Sequence, residues 1–226
     1  MDNHSSEDGS KMITLFIKGG VAHTVGDCPL CQRVYMVLKL KDLNFRVMAV
    51  NTNAPPTEYK EIAGTKKPPI LVDGEIIHND VAQIVEYLDA SYNQVPLQPK
   101  DKNSHSVGLD LFLALSKYLK NKDPSKDDRL KQILLKKLQD INDALEIHGG
   151  PFLDGEKMTL PDCNLLPKLY HTAVCGKVIK EKAFEIPHNL ENIHRYLDAF
   201  KASDVFDETK VEEEEIEYGW RKHRML

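Results

Sequence analysis

Cys28-Pro29-Leu30-Cys31 is the stretch of this chain whose residue types and spacing can carry out a reaction. Two thiols separated by two residues lie one helical turn apart, and the proline marks where that turn begins. At the first position of a helix a proline loses nothing, because its missing donor would be unpaired there anyway. Cys28 then caps the helix, with the Leu30 and Cys31 amides pointing at its sulfur. Those donors, and the positive end of the helix, favour thiolate over thiol. A free thiol titrates near about 8.5, whereas thiols at helix starts or in Cys-x-x-Cys pairs fall to roughly 3.5–7.5. Asp27 next door opposes the shift. Cys31 is placed to resolve a mixed disulfide formed on Cys28, so the chemistry is thiol–disulfide exchange.

Zinc binding is the competing use of such a pair, with His171 and Cys175 on one helix face as a second half. Zinc motifs place that half roughly 12–20 residues after the first, whereas about 140 residues intervene here. No metal is expected. Cys163 and Cys175 lie in apolar helical surroundings and are read as core residues, and Glu212–Glu215 as a solvated helix face.

The elements around the thiols alternate. Met12–Ile17 is a strand closed by Gly19-Gly20. Leu30, Val34, Val37 and Leu38 then stripe one helix face, and Phe45–Val50 alternates as a strand. Pro55-Pro56-Thr57 starts a short helix that stops at Gly64. Ile70–Val72 and Glu75–His78 form a hairpin across Asp73-Gly74. Asn79 or Asp80 caps a last helix with Val81, Ile84, Val85 and Leu88 on one face. The order β-α-β-α-β-β-α is that of a thioredoxin-like fold, the setting in which Cys-x-x-Cys is a redox motif. Such folds place a cis-proline before the third strand, facing the nucleophile. The residue before it offers backbone N–H and C=O groups to an extended peptide such as glutathione. Pro68-Pro69 fits that position. The helix start at Asn79-Asp80 would hold the γ-glutamyl end, its amides suiting the carboxylate and Asp80 the ammonium. A plain helix cap is the alternative role for Asp80.

Residues 12–92 thus form a thioredoxin-like glutathione-site domain, and the polar, proline-bearing stretch 93–103 a linker. Residues 104–226 form an all-helical domain, which makes the fold class α/β plus all-α, and residues 1–11 a disordered tail. In the second half Leu130, Ile133, Leu134, Leu138, Ile141 and Leu145 stripe a long helix ending at Gly149-Gly150. Thr159-Leu160-Pro161-Asp162 is a capping box in its Asp form, with Pro167 predicted to kink the helix that follows. A further helix runs from about Asn189 to Lys201.

Composition narrows the function classes. Hydrophobic residues at 41% and charged residues at 29% are ordinary for a globular protein. A formal charge of -5 lacks the basic footprint of a nucleic-acid binder, so no nucleic-acid partner is expected. The polar Met1–Lys11 stretch is no secretory signal, and four cysteines in 226 residues make no disulfide scaffold. The expected location is the cytoplasm, with reversible association with membranes. The most lipid-like window, Cys28–Val50, carries Arg33, Lys39, Lys41, Asp42 and Arg46, so it would have to refold to enter a bilayer.

Three stretches carry a family resemblance: CPLCQRVYMVLKLK (Cys28–Lys41), the Pro68-Pro69 strand start, and FLDGEKMTLPDCNLLPKL (Phe152–Leu169). The chain resembles the chloride intracellular channel (CLIC) proteins, relatives of omega-class glutathione transferases, from about Met12 to its end. The resemblance implies a glutathione-transferase-like fold and glutaredoxin-like activity with Cys28 as nucleophile. It also implies passage from cytosol to membrane to form poorly selective anion channels through the Cys28–Val50 segment. Many relatives have Ser at Cys31, so a dithiol route suits this chain better. Lys39 replaces an aromatic common in the family and adds a charge to the proposed span. The acidic loop of vertebrate members before the FLDG turn is missing, and Lys177–Lys182 lacks the tight basic cluster read as a nuclear signal.

The expected function is therefore a glutathione-dependent thiol–disulfide oxidoreductase that can associate with membranes. Cys28 and Cys31 are its catalytic residues, with Leu30, Pro68, Pro69, Asn79 and Asp80 at the glutathione site. Its expected partners are glutathione, disulfide or glutathionylated substrates, and membrane lipid. The protein is expected as a monomer, with oligomers on oxidation or at a membrane. Two rivals stand beside it: an anion channel without significant catalysis, and an omega-class-like transferase or dehydroascorbate reductase.

Overall fold

The computed structural model describes residues 12–20, 25–179 and 184–224; the expected tail at 1–11 and residues 180–182 of the Lys177–Lys182 stretch lie outside them. β1 (Ile13–Lys18) and β2 (Phe45–Val50) are parallel and joined through α1 (Pro29–Leu40). After α2 (Thr57–Ala63), β3 (Ile70–Asp73) pairs antiparallel with β1 and hairpins into β4 (Ile76–His78), ahead of α3 (Val81–Ser91). The sheet order is β2-β1-β3-β4, the thioredoxin-like arrangement. Alternation along β1 divides the core. Ile13, Leu15 and Ile17 join the large cluster shared with α1, α3 and the helical half. Phe16 faces the other way, into a smaller cluster with Val50, Tyr59, Ala63 and Ile70.

The rest of the described chain is helical. After a 3-10 turn at Lys102–Ser106 comes α4 (Leu111–Lys120), and after a second at Pro124–Lys126 come α5 (Asp127–His148), α6 (Leu160–Ile179), α7 (Glu191–Lys201), α8 (Asp204–Thr209) and α9 (Glu213–Arg224). Leu134, Leu138, Ile141 and Leu145 are buried as their spacing predicts, whereas Ile133 is 42% exposed at the edge of the stripe. α5 stops at Gly149, whose φ of 65° is the left-handed cap that glycine reaches without strain. α6 runs on through Pro167 as one helix and touches α1, α4, α7 and α9. Its Cys163 and Cys175 are fully buried free thiols.

Two buried charges fasten the parts together. Asp162 accepts from the Leu153 amide (2.9 Å), the Thr159 amide (2.7 Å) and hydroxyl (2.8 Å), and the Tyr196 hydroxyl (2.8 Å). The carboxylate thus returns the hydrogen bond as a capping box requires, while the Thr159 hydroxyl donates to it. Lys41, with no exposed side-chain surface, gives its three ammonium hydrogens to Asp89 (3.1 Å) and to the carbonyls of Tyr92 (2.9 Å) and Val95 (3.1 Å). A buried ammonium is tolerable only when its donors are paired in this way. It ties the end of α1 to the end of α3 and to the stretch after it. Among the described residues no helix is long and apolar enough to cross a membrane.

Candidate functional site

Strand register brings the sequence-predicted site residues to one end of the sheet. Phe16 of β1 lies opposite Ile70 of β3, so continuing the antiparallel ladder sets Pro69 and Pro68 beside Ile17 and Lys18. Leu71 lies opposite His78 of β4, which puts Asn79 and Asp80, at the start of α3, next to the same proline pair. The loop after β1 returns through Gly26, whose amide donates to the Lys18 carbonyl at 2.8 Å, and delivers Cys28 to the start of α1. The Pro68-Pro69 bond is cis.

Cys28 is the N-cap of α1, with extended backbone (φ -107°, ψ 104°) and Pro29 at the first helical position. Cys28 is half-buried as a residue, and its side chain forms no cap hydrogen bond of ordinary geometry. The pKa of Cys28 is nevertheless lowered to about 7. The largest cause is the Cys31 thiol donating to its sulfur; burial opposes this, and the Cys31 and Leu30 amides and the Lys18 charge add to it. Cys31 behaves in the opposite way. It is wholly buried, and burial, with the neighbouring Cys28, pushes its pKa well up. Its sulfur accepts the Lys18 amide at 3.3 Å. At rest, then, Cys31 is a donor that keeps Cys28 anionic. It becomes a nucleophile only after losing that proton, once Cys28 is neutral in a mixed disulfide. Leu30 is 42% exposed beside the sulfur.

Two sequence expectations change here. Pro68 is itself a proline and has no N–H, so it offers an extended ligand its carbonyl alone. At the start of α3, the Asp80 carboxylate accepts the Ala82 and Gln83 amides at 2.9 and 3.0 Å. The helix cap considered for Asp80 is therefore present, and two of the amides assigned to a ligand carboxylate are already engaged. The Val81 amide is the first-turn donor that this cap does not use. Asn79 and Asp80 are exposed.

Sequence reasoning passed over Lys18, Gln32 and α9. Lys18 pairs with Asp27, so the acid expected to oppose the thiolate is neutralised by a cation that favours it. Nothing in the spacing links a strand residue to a loop residue nine positions on. Gln32 lies one turn below Cys28 on α1, fully buried, and neither its amide nitrogen nor its amide oxygen has a partner. α9 packs against the Cys28 loop through Gly219. A Cβ there would stand 1.7 Å from Asp27 Oδ2, so only glycine lets the carboxylate lie against the helix backbone. Between these parts opens a polar cavity of about 280 Å³ lined by Lys18, Asp27, Asn51, Asn53, Glu215 and Tyr218 among others. A larger cavity of about 970 Å³ touches Leu40 at the far end of α1, about 18 Å away at 1.5 Å per residue. His171, the imagined zinc partner, is buried and accepts the Trp220 indole N–H at 3.2 Å. Among the described residues no three His, Cys, Asp or Glu side chains are gathered to hold a metal ion.

A family model described as a CLIC-like N-terminal domain matches residues 11–95. The dehydroascorbate reductase of Chlamydomonas reinhardtii superposes with a TM-score of 0.85 at 27% identity, over 95% of this chain and 99% of that one. The CLIC homologue EXC-4 of C. elegans gives 0.82 at 22% identity, over 95% and 87% of the two chains. A glutathione S-transferase from the Antarctic clam Laternula elliptica gives 0.68 at 18% identity, over 91% and 97%.

Proposed function

We propose that this chain, a CLIC-like N-terminal domain within a glutathione-transferase-like fold, is a glutathione-dependent thiol–disulfide oxidoreductase with Cys28 as nucleophile. The observation that carries the reading is the position of the Cys28 sulfur. It caps the start of α1 on a half-buried residue, with the Cys31 thiol, two amides and the Lys18 ammonium favouring its anion against the opposing effect of burial. The Cys28 thiolate attacks the glutathione sulfur of a glutathionylated substrate, or of the mixed disulfide that glutathione first forms with a small disulfide, leaving glutathione on Cys28 and expelling the other sulfur as a thiolate. A glutathione thiolate then attacks the glutathione sulfur of the Cys28 adduct, releasing oxidised glutathione and restoring Cys28. Where Cys31 attacks instead, its proton leaves and an internal Cys28–Cys31 disulfide forms, which two glutathione molecules reduce. Burial of Cys31 favours the first route. Glutathione would lie along Pro68-Pro69, accepted by the Pro68 carbonyl, with its γ-glutamyl end toward Val81 and Asp80.

A second reading, dehydroascorbate reduction, is supported by the likeness to the algal reductase. Cytosolic residence with reversible membrane association belongs to the same proposal, and four free thiols suit a reducing compartment. Reduction of a small disulfide and of dehydroascorbate, each coupled to glutathione turnover, tests the reading. Activity on at least one substrate should fall by about a hundredfold or more in Cys28→Ser, because a hydroxyl cannot form the thiolate adduct. An unchanged rate in that variant removes the enzyme and leaves the channel.

A further inference from the structure

A second cluster of charge lies apart from the cysteine pair, on the seam between α1 and α6. Arg33 donates from one guanidinium nitrogen to Asn164 Oδ1 at 3.0 Å, and Lys168 Nζ donates to the same oxygen at 2.7 Å. Two cations from different elements therefore converge on one neutral acceptor. Among the described residues neither makes an ion pair with a carboxylate, and Arg33 Nε is buried with no hydrogen-bond partner. Asn164 is itself buried at 9% exposure, whereas Arg33 and Lys168 keep some contact with solvent.

Such a group is unfavourable as it stands. Two cations taken partly out of water repel each other, and an amide oxygen brings no charge to offset them. Burial lowers the pKa of Arg33, partly countered by the more distant charges of Cys163 and Asp80. Burial also lowers that of Lys168 to about 8, with Arg33 adding to the fall. Most buried polar groups are satisfied; Glu86 and Asp89 line a cavity that Arg33 borders, but among the described residues no carboxylate pairs with Arg33 or Lys168.

We propose that Arg33, Asn164 and Lys168 form a binding site for a compact anion, carboxylate, phosphate or halide, on the seam between the two halves of the molecule. The planar guanidinium offers the outer N–H groups not given to Asn164, and the Lys168 ammonium keeps two hydrogens beyond the one given to Asn164. Two sources share this chemistry: a free inorganic anion, or the carboxylate of a larger ligand such as glutathione reaching past the start of α3.

Thermal unfolding of the full chain in low-salt buffer, titrated separately with sodium phosphate, sodium chloride and glutathione, tests the site without reference to catalysis. A saturable rise in Tm of about 5–10 °C is expected at a hundredfold excess over the dissociation constant. Lys168→Met should lose most of it. Asn164→Asp places a carboxylate where both cations already point, so it should melt higher than the wild type without added anion and respond little to any of the three. A response to phosphate or chloride assigns the site to a free anion. A response to glutathione alone, lost when its γ-glutamyl carboxyl is blocked, assigns it to the peptide. The proposal is overturned if wild type and Asn164→Asp respond alike, which is a general salt effect, or if Asn164→Asp melts lower than the wild type in low salt.

Discussion

The largest single cause that lowers the Cys28 pKa is another side chain, the Cys31 thiol, with the amides of the helix start adding to it, and that makes Cys31 the residue to change. Cys31→Ala removes the largest cause of the shift, so the pH at which iodoacetamide alkylation of Cys28 reaches half its plateau should rise from about 7 toward the ordinary thiol value. Cys31→Ser, which keeps a donor, should rise less. The thiolate forms as pH increases, so the loss of reactivity is greatest between the two midpoints, at neutral pH. An unmoved midpoint would mean that the helix start alone sets it. Gln32, one turn away, carries a buried amide with no partner for either atom. Replacing such a group by an apolar one of similar shape is neutral or stabilising. Gln32→Met is therefore expected to raise stability by about 1 kcal/mol, read from the urea midpoint at unchanged slope. At this scale the place of Cys28 at the start of α1 was legible, because Pro29 fixes where that helix begins. The Lys18–Asp27 pair and the orphaned Gln32 were not, since both depend on what the fold packs against them.

Whole elements differed in how plainly they were written. α5 buries one stripe, so its period stands out in the sequence, whereas β1 is buried on both faces and reads as a short apolar run. α6 is buried almost all round, which leaves no polar face to set its phase. α9 carries an acidic face that reads as solvent-exposed, and it does face water there. Its Ile216 and Trp220 nevertheless anchor it in the core, and its glycine meets the Cys28 loop. Glycine costs a helix interior about 1 kcal/mol relative to alanine, so Gly219→Ala would stabilise α9 taken alone. In the folded protein the new methyl meets Asp27, and overpacking of this kind costs roughly 1–3 kcal/mol. The variant should unfold at lower urea, and displaced Asp27 and Lys18 should alter the pH profile of Cys28 alkylation. A variant more stable than the wild type would mean that α9 does not rest on that loop.

In the molecule as a whole, α1 is reactive at one end and fastened at the other. Lys41 holds its tail to α3 and to the stretch after it, and Lys39 pairs with Glu208 of α8. The segment proposed to enter membranes, Cys28–Val50, supplies α1 and β2, so insertion would have to break these pairs and remove two elements from the core. The two-part architecture and the end of the sheet where the site lies followed from element order. The seam did not, because contacts between Arg33 and Asn164 span 131 positions and leave no local pattern. Under the proposed function, in which glutathione would lie along Pro68, this proline bears on turnover over many cycles. A guest gripped through a carbonyl but no amide departs sooner, which suits a catalyst that must shed its oxidised product and start again. Restoring the donor with Pro68→Val should lengthen residence, lowering the KM for glutathione by about 2–10-fold, and release should then begin to limit kcat. A KM left where it was would mean the peptide never lay along that strand.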